Sequence, residues 1–258
     1  MYSKEELQQG LSTRVIGKKI FVFETIDSTN ACTKLLGEAG TEEGCVVTAD
    51  FQTSGRGRHG HSWVANPGEN LLFSLLLRPV LSTESAGLLT LYASVAIARA
   101  VEKEIGGTIE CKWPNDLLLN GKKISGILLE NSFQQEALAY SVIGAGINVN
   151  QPEFPTELND RATSLARERK TACDRKHLFQ TILQEMDLLY QDVRKGDFSL
   201  VIKEWARRCT MFGRPVTVEQ HDRTISGIVL RLNDDGGLVL ETPQGTKTVY
   251  AGDVSVVA

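Results

Sequence analysis

Residues 112–127 read KWPNDLLLNGKKISGI and decide how the middle of the chain folds. The pair Asn120-Gly121 favours a type I′ turn, because both residues tolerate the positive φ angles that this turn requires. Short, largely apolar runs stand on either side of the pair. The stretch therefore predicts a β-hairpin with strands over 116–119 and 123–130.

The sequence on both sides of this hairpin supplies further strands and helices. Alternating or short apolar runs predict strands over 19–25, 44–51, 70–79, 109–113 and 139–149. Apolar residues at helical spacing, with caps such as Ser28 and the terminating Gly40, predict helices over 3–11, 29–38, 83–105, 174–195 and 199–209. From Phe212 onward, short strands between turn residues predict a small SH3-like β-barrel. We therefore expect an α+β fold, with a mixed β-sheet flanked by helices over 1–211 and the barrel over 212–258.

Composition and charge restrict the possible function classes. Of the 258 residues, 41% are hydrophobic and 23% charged, an ordinary globular balance. The net charge of −4 argues against a protein whose main role is to coat nucleic acid. The five scattered cysteines include no CxxC pair and predict neither a zinc site nor a disulfide framework. With a polar N-terminus and no apolar stretch of about 18 residues, we expect a cytoplasmic protein that does not enter a membrane.

The familiar nucleotide-binding motifs are absent from the sequence. Gly55, Gly57 and Gly60 match G-x-G-x-x-G after a predicted strand, but Pro67-Gly68 prevents the helix that a Rossmann fold needs there, and the acidic residue expected about 20 positions on is missing. Nothing reads G-x-x-x-x-G-K-[ST] either. A nucleotide would have to bind by other means.

The long loop over 52–67 carries Arg56, Arg58, His59 and His61 and no carboxylate. A glycine-rich loop with two guanidinium groups suits a polyphosphate or an acyl phosphate, which it can close over and shield from water. Two other interpretations are a solvated surface loop and a metal site at the H-x-H pair, for which no third ligand lies nearby in the sequence.

The predicted hairpin also brings charged side chains together. Lys112 and Asp116 precede its turn and Lys123 follows it. Activation of a carboxylic acid by ATP needs cations that neutralise the approaching anions and a carboxylate that holds Mg²⁺, and these three residues have that chemistry. The alternative is an exposed hairpin with paired surface charges.

Four segments resemble those of biotin protein ligases, in the order and spacing of that family. They are DSTN (27–30), QTSGRGRHGHSW (52–63), KWPND with KISG (112–116 and 123–126), and GAGIN (144–148). Residues 150–165 also resemble the segment that follows in the family. The resemblance implies a catalytic domain of the class II synthetase type that forms biotinyl-5′-AMP from biotin and ATP with Mg²⁺. It also implies transfer of the biotinyl group to a lysine of a biotin carrier domain. The resemblance does not decide whether the protein is a monomer or a homodimer.

By the same resemblance, each matching position has an expected role. Biotin would be bound by Ser28, Thr29, Asn30, Gln52, Gly55, Arg56, Arg58, Lys123, Gly126, Gly144 and Gly146. ATP and the adenylate would contact Arg56, Arg58, His61, Trp63, Asn115 and Asn148, with Trp63 stacked on adenine. The catalytic residues would be Lys123, Arg58, Lys112 and Asp116. Lys123 would bridge the biotin carboxylate and the α-phosphate, and Asp116 is the candidate ligand for Mg²⁺.

Two features distinguish this sequence within the family. His61 stands where the family's loop often has a third arginine, so the implied phosphate contact weakens at alkaline pH, where imidazole is neutral. Some members carry an N-terminal DNA-binding domain of about 60 residues, whereas only ten residues precede Leu11 here. We therefore expect the ligase alone, without DNA binding.

Two other functions stay open at the level of sequence. A related ligase would use lipoate or octanoate, although the KWPND and GRGR segments favour biotin. A non-enzymatic protein would use the GRGRHGH loop (55–61) to bind nucleic acid, but the net charge of −4 and the scarcity of aromatic residues near the loop count against it.

Overall fold

Six α-helices and twelve β-strands lie in residues 2–220 and 223–256, the part of the chain that a computed structural model describes. The helices are α1 (Lys4–Gln8), α2 (Thr29–Glu38), α3 (Leu89–Ile105), α4 (Leu165–Arg169), α5 (Arg175–Val193) and α6 (Ser199–Arg208). The strands are β1 (Ile20–Ile26), β2 (Val46–Gln52), β3 (Leu71–Leu77), β4 (Glu110–Lys112), β5 (Asp116–Leu119), β6 (Lys122–Gln134), β7 (Ala137–Ile147), β8 (Pro215–Gln220), β9 (Arg223–Leu232), β10 (Leu238–Thr242), β11 (Gly245–Val249) and β12 (Asp253–Val256). Within these ranges, no helix combines the length and apolarity needed to cross a membrane.

Seven strands form one mixed sheet in the order β1-β2-β3-β7-β6-β5-β4. β1 and β2 pair in parallel, and the other neighbours pair antiparallel. The predicted hairpin is confirmed, since Asn120 and Gly121 connect β5 to β6 with φ angles of 52° and 74°. The mixed sheet agrees with the predicted α+β class.

The two faces of this sheet have different neighbours. β3 reads LLFSLLL and is buried along its whole length. Because successive side chains of a strand point to opposite faces, Phe73 enters the main core, where its ring packs edge-to-face on Phe179 of α5 at 5.5 Å. Ser74 points the other way and contacts α2. Thus α3 and α5 cover one face, and α2 covers part of the other, which carries the candidate site.

The last five strands form a second, antiparallel sheet in the order β11-β10-β9-β8-β12. Val216, Val218 and Leu240 are among its fully buried side chains. This unit agrees with the predicted SH3-like barrel. The residues between β9 and β10, 233–237, form a tight turn in which the Asn233 amide donates to the Gly237 carbonyl at 2.8 Å. We call this segment the barrel turn.

Several element boundaries differ from the sequence-based expectation. The helix predicted from residue 83 begins as an α-helix only at Leu89, because the preceding turn (Ala86–Leu88) is wound as a 3₁₀-helix. The β6 strand continues to Gln134, beyond its predicted end. The short α4 helix was not expected, since five residues are too few to show an apolar periodicity. Its start is nevertheless marked by Ser164, whose hydroxyl accepts a hydrogen bond from the Arg167 amide.

Candidate active site

A cavity of about 710 Å³ opens on the α2 face of the main sheet. Its floor comes from the sheet, and its walls come from the loop after β2, the segment 154–162 and the start of β12. The structure places nearly all the predicted site residues in its lining: Ser28, Thr29, Asn30, Gln52, Arg56, Arg58, His61, Trp63, Lys112, Asn115, Asp116, Lys123, Gly126, Gly144, Gly146 and Asn148. Gly55 lies just behind this lining, where its carbonyl accepts the Trp63 amide hydrogen at 3.0 Å.

Strand register explains why residues distant in sequence meet in the floor. Gly146 of β7 is paired with Gly126 of β6, Gly126 with Asp116 of β5, and Asp116 with Lys112 of β4. Directly opposed residues on neighbouring strands project from the same face. These four residues therefore form one row across the sheet, with two charged side chains at one end and two glycines at the other.

One end of the cavity is lined by uncharged hydrogen-bonding groups at the start of α2. Ser28 caps the helix, with its hydroxyl 3.4 Å from the Ala31 amide nitrogen. Thr29 donates to the Gln52 side-chain oxygen Oε1 from both its backbone amide (2.7 Å) and its hydroxyl (3.0 Å). Ser74 Oγ lies 2.8 Å from Thr29 Oγ1 and 2.5 Å from Asn30 Oδ1. This polar end suits a neutral group with both donors and acceptors.

Asn30 is locked in place behind this polar end. The side chain is buried, and its amide nitrogen donates to the Glu130 carboxylate at 2.8 Å. Lys34 forms an ion pair with the same carboxylate at 3.2 Å. Gly144 faces Asn30 so closely that a Cβ at position 144 would overlap Asn30 Oδ1 and stand 2.8 Å from its Cγ. Glycine is therefore required here by close packing.

Trp63 lies on the glycine floor. A Cβ at Gly146 would stand 2.7 Å from the indole nitrogen, and a Cβ at Gly126 would stand 3.0 Å from ring atom Cζ3. The indole N–H is buried and has no hydrogen-bond acceptor within the described part of the chain. An unsatisfied buried donor of this kind costs about 1–3 kcal/mol, which a ligand acceptor would recover.

The charged end of the row centres on Lys123 and Asp116. Lys123 Nζ lies 2.6 Å from Asp116 Oδ1 and 5.7 Å from the centre of the Trp63 ring system. The contact with Asp116 is an ion pair, and that oxygen accepts no well-aligned hydrogen bond from the described residues. Both side chains are partly exposed to the cavity. An anionic ligand would thus meet an ammonium group that a carboxylate already orients.

Asn148 and Asn115 hold the surrounding backbone in place. The Asn148 side chain is buried and its amide donates to the Thr163 carbonyl at 3.1 Å, while its Oδ1 has no partner among the described residues. The side-chain amide of Asn115 donates to the backbone carbonyl of Ile127 at 2.8 Å. An orphan acceptor at the cavity wall suits the amino group of a ligand such as a nucleobase.

The glycine-rich loop is folded across the cavity mouth and not extended into solvent. Arg56 and Ser62 form an antiparallel bridge, and the Gly57 amide donates to the His61 carbonyl at 2.6 Å. His59 adopts a left-handed conformation (φ 51°) at the bend. His61 and Arg56 are exposed at the rim. The loop therefore holds its cations over the site.

Arg58 joins this loop to the rest of the molecule. Its guanidinium donates to the Asn115 side-chain oxygen at 3.2 Å and to the Gly252 carbonyl at 3.3 Å, and it lies 3.4 Å from the Asp253 carboxylate. Burial lowers the pKa of Arg58 from its ordinary value, whereas the carboxylates of Asp253 and Asp116 act in the opposite direction. Gly252 and Asp253 belong to the C-terminal unit, so the mouth of the cavity is shared between the two sheets.

Three contributors to the site are not among the residues predicted from the sequence. Ser74 carried a signal, since it is the one polar residue in LLFSLLL. The wall over 154–162 is set beside β6 by the Lys123 amide, which donates to the Arg161 carbonyl at 2.8 Å. Asp253 had no signal, because a lone carboxylate in a barrel strand is ordinary. In residues 2–220 and 223–256, no group of three or more His, Cys, Asp or Glu side chains could hold a metal ion, and this includes the H-x-H pair.

Comparisons with known protein families match two parts of this chain. Residues 22–148 match the biotin/lipoate A/B protein ligase family, and residues 211–257 match the biotin protein ligase C terminal domain. The first match contains the polar end, the loop and the charged row, and the second contains the five-stranded unit.

Individual relatives extend the similarity over almost the whole chain. The bifunctional ligase/repressor BirA of Bacillus spizizenii is 36% identical over 256 residues, which are 98% of this chain and 79% of that protein. The biotin–[acetyl-CoA-carboxylase] ligase of Mycobacterium tuberculosis is 31% identical over 96% of this chain and 94% of its own. A structure of biotin protein ligase from Aquifex aeolicus in complex with biotin and ATP superposes with a TM-score of 0.78 at 30% identity, over 93% of this chain and 99% of that one.

Proposed function

The chain belongs to the biotin protein ligase family, and we propose on that premise that it is an ATP-dependent biotin protein ligase. The reaction has two steps. Biotin and MgATP give biotinyl-5′-AMP and pyrophosphate, and the biotinyl group then passes to a specific lysine of a biotin carrier domain, such as that of acetyl-CoA carboxylase. The observation that carries the proposal is the row of Gly146, Gly126, Asp116 and Lys112, which connects a neutral polar end to a cationic centre within one cavity.

The polar end accounts for the choice of substrate. Thr29 and Gln52 line the cavity with hydroxyl and amide groups that match the donors and acceptors of a cyclic urea, and Ser74 supports Thr29 from behind. The far end of an octanoyl or lipoyl chain makes no such hydrogen bonds, so it would displace water from these groups without offering a hydrogen bond in return. A site built to hydrogen-bond its substrate rejects an analogue without those groups by about 10⁴–10⁵. The cavity therefore favours biotin over the lipoate and octanoate alternative.

Adenylate formation takes place at the charged end. A carboxylate oxygen of biotin attacks the α-phosphorus of ATP, and the bond from that phosphorus to the β-phosphate oxygen breaks. Lys123 neutralises the two approaching anions, and its ion pair with Asp116 fixes the ammonium group before the ligands arrive. A preorganised charge of this kind contributes about 10²–10³ in rate. Arg58 and Arg56 close over the carboxyl and phosphate oxygens from the loop.

Mg²⁺ enters with ATP as part of the substrate. The chain provides Asp116 as a candidate ligand, because its Oδ1 is buried at the cavity and accepts no well-aligned hydrogen bond in the described residues. Mg²⁺ in nucleotide sites usually keeps several waters and binds through one or two carboxylates together with the phosphates. A single carboxylate beside Lys123 fits that pattern, and bound Mg²⁺ would supply further neutralisation of the phosphates.

The second step uses the same geometry. The amine of the acceptor lysine attacks the acyl carbon of biotinyl-5′-AMP, an amide bond forms, and the bond to the phosphate oxygen breaks to release AMP. The attacking amine must lose a proton, which we assign to the Asp116 carboxylate, and we assign Lys112 to stabilise the departing phosphate, since both lie in the row at the cavity floor. We place the boundary of the catalytic domain at about residue 211, where the match to the C-terminal domain begins.

The experiment that tests the proposal is biotin-dependent exchange of labelled pyrophosphate into ATP. Purified protein with MgATP should catalyse this exchange with biotin, and exchange with lipoate or octanoate should be at least a thousandfold slower. An acceptor carrier domain should then become biotinylated, and its lysine-to-arginine variant should not. Equal exchange with lipoate, or no exchange with any of the three acids, would overturn the assignment.

A further inference from the structure

Trp113, which has no assigned role in the reaction, connects the segment 112–116 to the C-terminal unit. Trp113 stands between Lys112 and Asn115-Asp116, only 2% exposed. Its indole N–H points away from the cavity and donates to the Gly236 carbonyl of the barrel turn at 3.1 Å. Buried indole N–H groups usually find a hydrogen-bond partner, and here that partner lies 123 positions away in the C-terminal unit.

The barrel turn is stiff enough to act as an anchor. Gly236 has φ +84°, and the Asp235 carboxylate accepts the Gly237 amide hydrogen at 3.0 Å and the Tyr250 hydroxyl hydrogen at 2.7 Å. The turn also sits on the start of α3, since a Cβ at Gly236 would stand 3.1 Å from Leu88 Cδ2. The Gly236 carbonyl is therefore fixed in position against the main core.

A second connection meets the same short segment from the other side. Arg58 contacts Gly252 and Asp253 in the second sheet and the Asn115 side chain in the first. The segment Lys112 to Asp116 is thus held at Trp113 by the barrel turn and at Asn115 by the loop. Lys112 and Asp116 project from it into the cavity.

From this arrangement we infer that Trp113 is a positioning residue, through which the barrel turn sets the placement of Lys112 and Asp116 relative to Lys123. The inference rests on the proposed function, because it assigns these residues to adenylate formation and transfer. In this arrangement, the C-terminal unit contributes to the reaction by positioning Lys112 and Asp116. A displacement of about 1 Å by a change outside the reacting groups can cost up to 10²-fold in rate.

The test is a double-mutant cycle between Trp113→Phe, which removes the N–H and keeps an aromatic ring, and Asp235→Ala, which loosens the barrel turn. We expect Trp113→Phe to lower the single-turnover rate of adenylation about tenfold, with the KM for biotin within about twofold of wild type, because the polar end at α2 is not joined to this link. Asp235→Ala alone should lower the rate about threefold and have no further effect in the Trp113→Phe background. Trp205→Phe, which alters another buried tryptophan outside the cavity lining, is the matched control and should leave the rate unchanged.

The inference would be overturned if the fold-effects of the two substitutions multiplied in the double mutant. It would also be overturned if the Trp113→Phe rate lay within twofold of wild type. The indole N–H signals give a readout that does not require activity. The chain has three tryptophans, and the signal missing in Trp113→Phe should be protected from hydrogen exchange and should shift in Asp235→Ala. A signal that does not shift in Asp235→Ala contradicts the link. If the signal shifts in Asp235→Ala but the wild-type protein catalyses no pyrophosphate exchange, the proposed function is refuted and the link stands.

Discussion

Gly144→Ala should impair biotin binding without touching any group that contacts ATP. The added methyl group would overlap Oδ1 of Asn30 and stand 2.8 Å from its Cγ and 3.0 Å from its Nδ2. These atoms cannot easily move, because Asn30 is buried between Ser74 and Glu130. The side chain must therefore leave its site when the methyl group is present.

The size of the effect follows from the contacts that Asn30 would lose. Its 2.8 Å hydrogen bond to the Glu130 carboxylate and its 2.5 Å contact with the Ser74 hydroxyl are each worth about 1–1.5 kcal/mol. The sum of about 2–3 kcal/mol should appear as a lower free energy of unfolding. If biotin needs Asn30 in its present position, the same free energy corresponds to a KM for biotin about 30- to 150-fold higher.

The assay is pyrophosphate exchange at varied biotin with saturating ATP, together with urea unfolding. Gly87→Ala is the matched control, because a Cβ at Gly87 would meet nothing within 4 Å. We expect the control to behave as wild type in both measurements. A KM for biotin within threefold of wild type in Gly144→Ala would refute the reasoning that Asn30 is fixed and needed.

Three other changes test separate parts of the site and the fold. Lys123→Ala should leave the fold intact and slow single-turnover adenylate formation about 10²–10³-fold, and an unchanged rate would remove Lys123 from the mechanism. Arg58→Gly should release preformed biotinyl-5′-AMP faster and label bystander proteins, because the loop loses its bonds to Asn115 and Gly252; stopped-flow release as slow as in wild type would show that the loop is not a lid. Glu204→Gln should lower the free energy of unfolding by about 2 kcal/mol at pH 7, since the hydrogen bond from Arg99 lowers the pKa of Glu204 to about 2. That contribution is present above the ordinary pKa of about 4.5 and is lost as the pH falls towards about 2. The difference in free energy of unfolding between Glu204→Gln and wild type should therefore shrink over this range in acid unfolding curves. A difference that stays constant would contradict this assignment of the Glu204 pKa.

Local patterns in the sequence were enough for most elements of the fold. The Asn120-Gly121 turn, the cap at Ser28 and the apolar periodicity of α3 each depend on neighbouring residues only, and the structure contains all three features in or near the predicted positions. The candidate site residues came from the family resemblance, and the structure gathers them around one cavity. Their individual roles stay predictions.

Register and long-range contacts could not be predicted. The two-residue turn at Asn120-Gly121 alone would place Asp116 opposite Ser125, but a register shift between Leu117 and Leu118 moves Asp116 opposite Gly126. A second shift, between Ser132 and Phe133, places Gly126 opposite Gly146, and no local pattern marks either shift. The contact of Arg58 with Asp253 joins residues 195 positions apart and involves an ordinary surface carboxylate. Trp113 could be recognised as apolar, but its partner is a backbone carbonyl, which leaves no trace in side-chain identity.

The place of β3 in the sheet also has a consequence for the synthesis of the protein. Its seven residues, LLFSLLL, contain no charge and no proline. One edge of β3 pairs with β2, and the other edge pairs with β7, where Leu71 stands opposite Ile147. At a translation speed of about 5–20 residues per second, roughly 70 further residues take about 4 to 14 s to emerge. Throughout that interval the nascent chain presents one uncovered edge of an apolar strand, the kind of segment that pairs with other chains. We therefore expect the protein to depend on chaperones while it is being made, before β7 has closed the sheet.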